Sequence, residues 1–336
     1  MVNDKIVAPI MGARLSRLCL ALVGSLACCG GCEAPGWFTG ILGFRGDYIL
    51  VASDSLVRPG EEVRIEARLR EAEASWRPKP TGVYIIREGA LLAFGKTDGN
   101  GVFAATFRPP AAGDYRFRVD CYAPQRDGNW PLRVEVLVAC REANTPLLVV
   151  DIDQTLADYR RKRDVVFGEP NAAAGSVEAM GRLSRQCAVV YLTHRWDYLN
   201  RRTRCWLDAR GYPPGPIFAS QGTAIFEDNE RYKARVLADL RSRFGSPGWG
   251  VGNLASDARA YASGGIRPIL FLPGNEMTST KQVRKALAEL RAAPPAAQVV
   301  ASWEEVERAV AEGASFPAEA AEARMRGSLK EMERRK

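Results

Sequence analysis

Histidine is almost missing from this chain. Among 336 residues there is one, His194. A structural zinc site of the usual Cys/His kind therefore has little to draw on. The eight cysteines do not supply one either, because they form no C-x-x-C…C-x-x-C array. Beyond residue 32 no stretch approaches the ~20 consecutive apolar residues of a membrane-spanning helix. No internal repeat runs through the chain.

What is present is enough for two domains: 336 residues, of which 46% are apolar. The formal net charge of +8 suits an anionic partner. Nucleic acid, an acidic membrane surface and a phosphorylated substrate all qualify on charge alone.

Residues 1–32 read as an export leader. Lys5, Arg14 and Arg17 precede a short apolar run from Leu18 to Cys28, the pattern of a signal peptide. The run ends Ser25-Leu26-Ala27-Cys28, which resembles the processing box of bacterial lipoproteins. That resemblance implies lipidation at Cys28, with Cys29 and Cys32 as rival positions. The alternative is a cytoplasmic protein with an apolar leader. In an exported protein an oxidised pair such as Cys121–Cys140 is open.

Residues 33–46, rich in Gly and aromatics, read as a linker. Residues 47–143 read as all-β. Val63-Arg64-Ile65-Glu66-Ala67 alternates apolar and polar, as a half-buried strand does. Gly113 to Val119 alternates again, and Asp98-Gly99-Asn100-Gly101 reads as a hairpin turn. Six or seven short strands at this spacing suggest a β-sandwich, and their pattern resembles bacterial immunoglobulin-like modules. Residues 144–315 change to α/β. Leu147 to Val150 and Ala188 to Leu192 are continuous apolar strands of the doubly covered kind. Helices are expected over 173–186, from Trp196 to Arg210, from Arg231 to Arg243, and over 279–293 and 303–312. Further strands are expected at Trp249–Gly252, Pro268–Leu272 and Gln298–Val300. Alternation of this kind implies a parallel, doubly wound, Rossmann-like sheet. Residues 316–336 read as a helical or frayed tail.

The chemistry concentrates at strand ends. Asp151-Ile152-Asp153-Gln154-Thr155 follows the first α/β strand, where open α/β sheets bind ligands. One carboxylate of such a pair can attack phosphorus. The other can protonate the leaving oxygen and then activate water. Taken alone, D-x-D-x-T can equally be a turn with helix-capping side chains. The second strand ends Thr193-His194-Arg195, Lys233 opens a later helix, and Gly252-Asn253 leads to Asp257. A hydroxyl, an ammonium and a further carboxylate in this order suit a phosphoryl group. Asp257, Asp151 and the Asp153 carbonyl offer oxygen ligands of the kind Mg²⁺ takes.

This order resembles the haloacid dehalogenase superfamily. Within it, the stretch 147–300 is similar to the catalytic domain of lipin-type phosphatidate phosphatases. The likeness includes Tyr191-Leu192-Thr193, Trp206-Leu207, Gly211 to Pro216, and Asp257-Ala258-Arg259-Ala260-Tyr261. It implies Asp151 as nucleophile, Asp153 as acid/base, Thr193 and Lys233 as phosphate contacts, and Mg²⁺ on Asp151, Asp153 and Asp257. Many superfamily members carry Asp where this chain has Asn253. The lipin-type pattern has Asn, which implies a contact through water. His194 departs from the small residue expected there. Thr155, His194, Arg195, Arg161 and Lys162 complete the expected substrate contacts.

From Thr155 to Thr193 is 38 positions, and from Thr193 to Lys233 is 40. Neither gap holds a cap domain of ~60 residues or more, so the site should stay open to a large or surface-bound substrate. Arg160-Arg161-Lys162-Arg163 and Arg201, Arg202 and Arg204 are expected on its rim, where they can meet an anionic bilayer or simply face solvent. The reading is an exported, lipid-anchored, Mg²⁺-dependent phosphatase of phosphatidate or a related lipid phosphate. Nucleic acid is not expected as a partner, and the oligomeric state stays open. The alternatives are a phosphatase of soluble nucleotide or sugar phosphates, and a non-catalytic module that binds phosphate or lipid.

Overall fold

The computed structural model describes residues 48–71, 79–123, 131–159, 170–221, 224, 226–245, 248–274 and 277–335. The leader with Cys28, the linker, and the cluster with Arg161 and Lys162 lie outside the described residues.

Among the described residues eight strands form the first domain: β1 (Tyr48–Ala52), β2 (Ser55–Val57), β3 (Val63–Glu71), β4 (Gly82–Arg87), β5 (Ala90–Lys96), β6 (Val102–Phe107), β7 (Gly113–Cys121) and β8 (Leu132–Cys140). They make two sheets, β1-β3-β6 and β2-β8-β7-β4-β5. Alternate residues of both sheets meet in one core, with Ile65, Ala67 and Leu69 facing Val83, Ile85, Phe117 and Val119. The domain is therefore a β-sandwich.

Two expectations need correction here. The Asp98–Gly101 turn is real, since Asp98 Oδ1 accepts from Asn100 N and Val102 N at 2.8 Å each. It is not a hairpin, because β5 and β6 belong to opposite sheets. The hairpin lies one turn earlier. Glu88 and Gly89, at φ 52° and 81°, join β4 to β5, as a two-residue turn with two positive φ angles should. The second correction concerns Cys121 and Cys140, which are free and buried. Register pairs Gly113 with Cys140 and Cys121 with Leu132, so the thiols sit at opposite ends of β7. At ~3.4 Å per residue that is about 27 Å, beyond any disulfide.

The second domain holds β9 (Leu147–Val150), β10 (Ala157–Asp158), β11 (Asn171–Ala172), α1 (Ser176–Leu183), β12 (Ala188–Trp196), α2 (Asn200–Arg210), β13 (Ile217–Ser220), α3 (Asn229–Arg243), β14 (Trp249–Gly252), α4 (Ala255–Ser263), β15 (Arg267–Phe271), α5 (Thr280–Ala292), β16 (Gln298–Val300), α6 (Trp303–Ala311) and α7 (Ala318–Arg334). The main sheet runs β13-β12-β9-β14-β15-β16, with every pair parallel. Its order leaves β9 with β12 and β13 on one side and β14 to β16 on the other, so the topological switch point lies at the carboxyl end of β9. The α2 helix starts later than expected because Asp197–Leu199 form a 3₁₀ turn, and Gly211 stops it at φ 80°. The tail is the packed helix α7, whose Ala321 and Met325 join the core of α5 and β15.

The two domains are fastened together. The Asp54 carboxylate, 8% exposed, accepts from Leu137 N at 2.8 Å, Ile217 N at 2.8 Å and Arg204 Nη2 at 2.5 Å. Arg68 pairs with buried Asp197 at 3.0 Å, and Gln221 donates to Ser53 at 2.8 Å. Leu56 and Leu137 of the sandwich share a core with Tyr232, Leu240 and Phe244 of the α/β domain.

Candidate active site

The chain leaves β9 in a tight loop. Ile152 O accepts from the N–H groups of Thr155, Leu156 and Ala157 at 3.3, 3.0 and 2.9 Å. Gln154 is thrown into the left-handed region at φ 57°, an uncommon conformation for a residue with a Cβ. Trp303 Nε1 donates to Thr155 O at 3.2 Å and braces the loop from α6. The result sets Asp151 facing into the domain and Asp153 outward beside β12.

Lys233 organises the buried half. Its ammonium, 1% exposed, donates to Asp151 Oδ1 and Asp257 Oδ1 at 2.7 Å each. Asp257 stands at the third position of α4, and its Oδ2 accepts from Leu254 N at 3.1 Å, half of a capping box. Gly252 makes room for it: a Cβ there would lie 2.6 Å from Asp257 Cβ and 2.7 Å from Oδ2. Asn229, four residues before Lys233 and so on the same face of α3, donates to Asp257 Oδ1 at 2.9 Å. Thr155 Oγ1 reaches Asp151 Oδ2 at the long limit of 3.5 Å. Burial pushes the Asp151 carboxyl up to about 7; Lys233 pulls it back, while Asp257 and Asp153 add to the rise. Burial alone would lower Lys233, but Asp151 and Asp257 outweigh it and hold the ammonium well above its usual range.

The expected residues divide. Asp151, Lys233, Asp257 and Thr155 come together. Thr193 is buried at the end of the central part of β12, where its Oγ1 accepts from Arg195 N at 3.3 Å. Asp153 faces Arg195, whose Nε and Nη2 donate to its two oxygens at distances from 2.7 to 3.2 Å. Arg195 is expected as a substrate contact, yet its fork is occupied. Nη1 donates to Thr203 at 3.0 Å and Nη2 to the Tyr159 hydroxyl. His194 turns away, with Nε2 3.2 Å from Ala224 O. Asn253 Nδ2 donates to Gln154 Oε1 at 3.2 Å. The second basic cluster does not stay on one rim. Arg204 is drawn into the domain interface by Asp54, and Arg202 lines a cavity of about 440 Å³ with Tyr159 and Arg195. Asn229, Tyr159 and Thr203 are participants that sequence reasoning missed. Of these, only Asn229 carries a signal, its spacing from Lys233.

Among the described residues no three His, Cys, Asp or Glu side chains gather into a metal site. The expected Mg²⁺ set does not require three, since Asp153 enters it through its carbonyl. Two buried carboxylates, that carbonyl and the Asn253 side chain offer oxygen donors of the hard kind Mg²⁺ prefers. Two carboxylates, Asp151 and Asp257, share the single ammonium of Lys233, which leaves negative charge that a divalent cation would offset. The residues fit the ion.

Residues 148–271 match the family model described as PITM 1-3, LNS2 domain. The span covers about a third of the chain and contains Asp151, Asp153, Thr193, Lys233 and Asp257. The match supports a phosphatase domain of haloacid dehalogenase type. No curated protein matches the chain. Among solved structures, D,D-heptose 1.7-bisphosphate phosphatase from B. bronchiseptica, complexed with magnesium and phosphate, is 22% identical. The similarity covers 51% of this chain and 100% of that one, with a TM-score of 0.38. The titin M3 domain is 12% identical over 30% of this chain and 100% of its own, with a TM-score of 0.22.

Proposed function

We propose that the α/β domain is a Mg²⁺-dependent phosphomonoesterase that works through an aspartyl-phosphate on Asp151. Its preferred substrate is phosphatidate or a related lipid phosphate. One observation carries the reading: Lys233 bridges Asp151 and Asp257 at the switch point of the sheet, inside the LNS2-matched span.

In the first step an Asp151 oxygen forms a bond to phosphorus as the ester P–O bond breaks, and Asp153 gives its proton to the departing alcohol oxygen. In the second, water attacks the same phosphorus, its proton passes to Asp153, and the Asp151 carboxylate is released with inorganic phosphate. Lys233 balances the charge gathered at Asp151. The Thr155 and Thr193 hydroxyls hydrogen-bond the phosphoryl oxygens, and Arg195 aims the Asp153 carboxyl. Asp151, Asp257 and the Asp153 carbonyl, with Asn253 nearby, would hold Mg²⁺, which would supply charge that eases approach of carboxylate to phosphate.

The short gaps between the motifs favour a large substrate held at a surface. We read the chain as exported and anchored through Cys28, its sandwich as immunoglobulin-like, and Arg161 and Lys162 as contacts to lipid phosphate. Purified protein should release phosphate from an aryl phosphate only with Mg²⁺, and Asp151→Asn should lower the rate by at least about 10³-fold. Equal activity in that variant ends the proposal. Phosphatidate in mixed micelles should outrun nucleotides and sugar phosphates in kcat/KM. The reverse order would leave the chemistry standing and remove the lipid.

A further inference from the structure

We infer that the outer face of the β4–β5–β7 corner of the sandwich is a docking surface for an anionic lipid bilayer. This does not depend on the hydrolase reading and uses none of its residues.

Six large apolar or aromatic side chains stand exposed among the described residues. Five of them, Tyr84, Leu91, Leu92, Phe94 and Tyr122, belong to this corner; only Phe226 lies elsewhere. Such clustering on one face marks an interaction surface, where scattered apolar residues would not. Tyr84 pairs with Phe94 across the two strands, and their rings stack at 6.1 Å. Tyr122 meets Tyr84 edge-on at 5.3 Å.

The strands cannot turn these rings inward. Val83 and Ile85, the alternate residues of β4, are wholly buried in the sandwich core. Gly95 faces inward so closely that a Cβ would lie 2.5 Å from the Phe103 ring. A one-residue slip would exchange the two faces, so Phe94 stays 69% exposed.

The chemistry around the rings selects the occupant. On the same face, Arg118 and Arg133 share the carboxylate of Asp120, at 3.2 and 2.8 Å, and exposed Glu135 stands opposite Arg118. Lys96 follows Phe94 by two positions and is exposed. The face is thus apolar at its edge, and behind it the cations Arg118, Arg133 and Lys96 outnumber the carboxylates Asp120 and Glu135. Tyrosines with an apolar ring and a polar tip, beside Lys and Arg, are the residues that settle at the headgroup level of a bilayer. The cations add attraction to anionic lipid. A second copy of this chain would instead bring the same cations together on a protein already at +8.

Hydrogen exchange on the full chain tests this with vesicles of phosphatidylcholine alone or mixed with phosphatidylglycerol. Exchange over 82–96 and 118–122 should slow with the mixed vesicles and stay unchanged with the neutral ones. The double substitution Leu92→Ser with Phe94→Ser should weaken binding to the mixed vesicles roughly tenfold. Its far-UV circular dichroism spectrum and urea unfolding midpoint, which check folding, should match the wild type. Three outcomes overturn the inference: no slowing at these segments, unchanged vesicle affinity in the double variant, or slowing that grows with protein concentration without vesicles. The last would identify a second copy as the occupant. The leader is common to both chains and cancels from the comparison.

Discussion

Lys233 sits where one ammonium must serve two carboxylates out of contact with water. Removing one partner of a buried ion pair leaves the rest uncompensated, at a cost of about 3–5 kcal/mol. Lys233→Met, which keeps the apolar stem, should lose about that much stability in urea unfolding, together with its activity. A loss under about 1 kcal/mol would mean that the two carboxylates carry no net charge to neutralise. Arg195 admits a sharper test, because two roles predict different kinetics. As an aiming group for Asp153, its replacement by Ala should lower kcat by about 10–100-fold and leave KM within about threefold. As a direct substrate contact, its loss should raise KM first. The gathering of Asp151, Lys233 and Asp257, 82 and 24 positions apart, was legible because each lies at or within two turns of a strand or helix end whose place the parallel fold dictates, although α3 begins at Asn229 and leaves Lys233 in its second turn. The Arg195–Asp153 fork was not. Residue type made Arg195 a phosphate ligand as readily as a carboxylate partner, and only the direction of its side chain decides.

At the scale of elements, the glycine of Gly-Asn-x-x-x-Asp does the work of spacing. Gly252→Ala would set a methyl 2.6 Å from Asp257 Cβ. Either α4 shifts or Asp257 leaves Lys233, and overpacking of this kind costs roughly 1–3 kcal/mol. The variant should fold, with activity reduced more than stability; an unchanged kcat would show that the Asp257 position is not critical. Most of the α/β elements were read from sequence within a few residues because their apolar runs and caps are local signals, but the edge strand β13 and the short β10 and β11 were not expected. Sandwich connectivity was harder. Asp98-Gly99-Asn100-Gly101 has the composition of a hairpin turn, but which sheet the next strand joins is settled by tertiary packing, and β6 pairs with β3. Arg204 teaches the same lesson. Three arginines on one helix turn read as a basic rim, yet Asp54, 150 positions away, claims one of them.

For the whole molecule, the decisive feature is that the sandwich and the α/β domain share buried structure. Asp54 joins β8, β13 and α2 through three hydrogen bonds. Leu56 and Leu137, 1% and 2% exposed, are covered by the neighbouring domain. Burying two leucines contributes about 1.5–3 kcal/mol each, and a buried carboxylate with three donors adds to it. Coupling of that size is a large fraction of the ~5–15 kcal/mol by which a whole domain is stable, enough to make two domains of similar stability unfold together. The intact chain should therefore unfold in one transition, with tyrosine absorbance and aryl-phosphate activity lost at the same urea concentration. Asp54→Ala strands the Leu137 and Ile217 N–H groups and the Arg204 guanidinium. It should split the curve into two transitions, the α/β activity disappearing at the lower one. A single unshifted transition in that variant would mean that the interface, though buried, is energetically neutral and that the sandwich is a spacer. A split locates part of the stability of the candidate site in the sandwich, since Arg68 and Ser53 grip Asp197 and Gln221 just beyond the ends of β12 and β13.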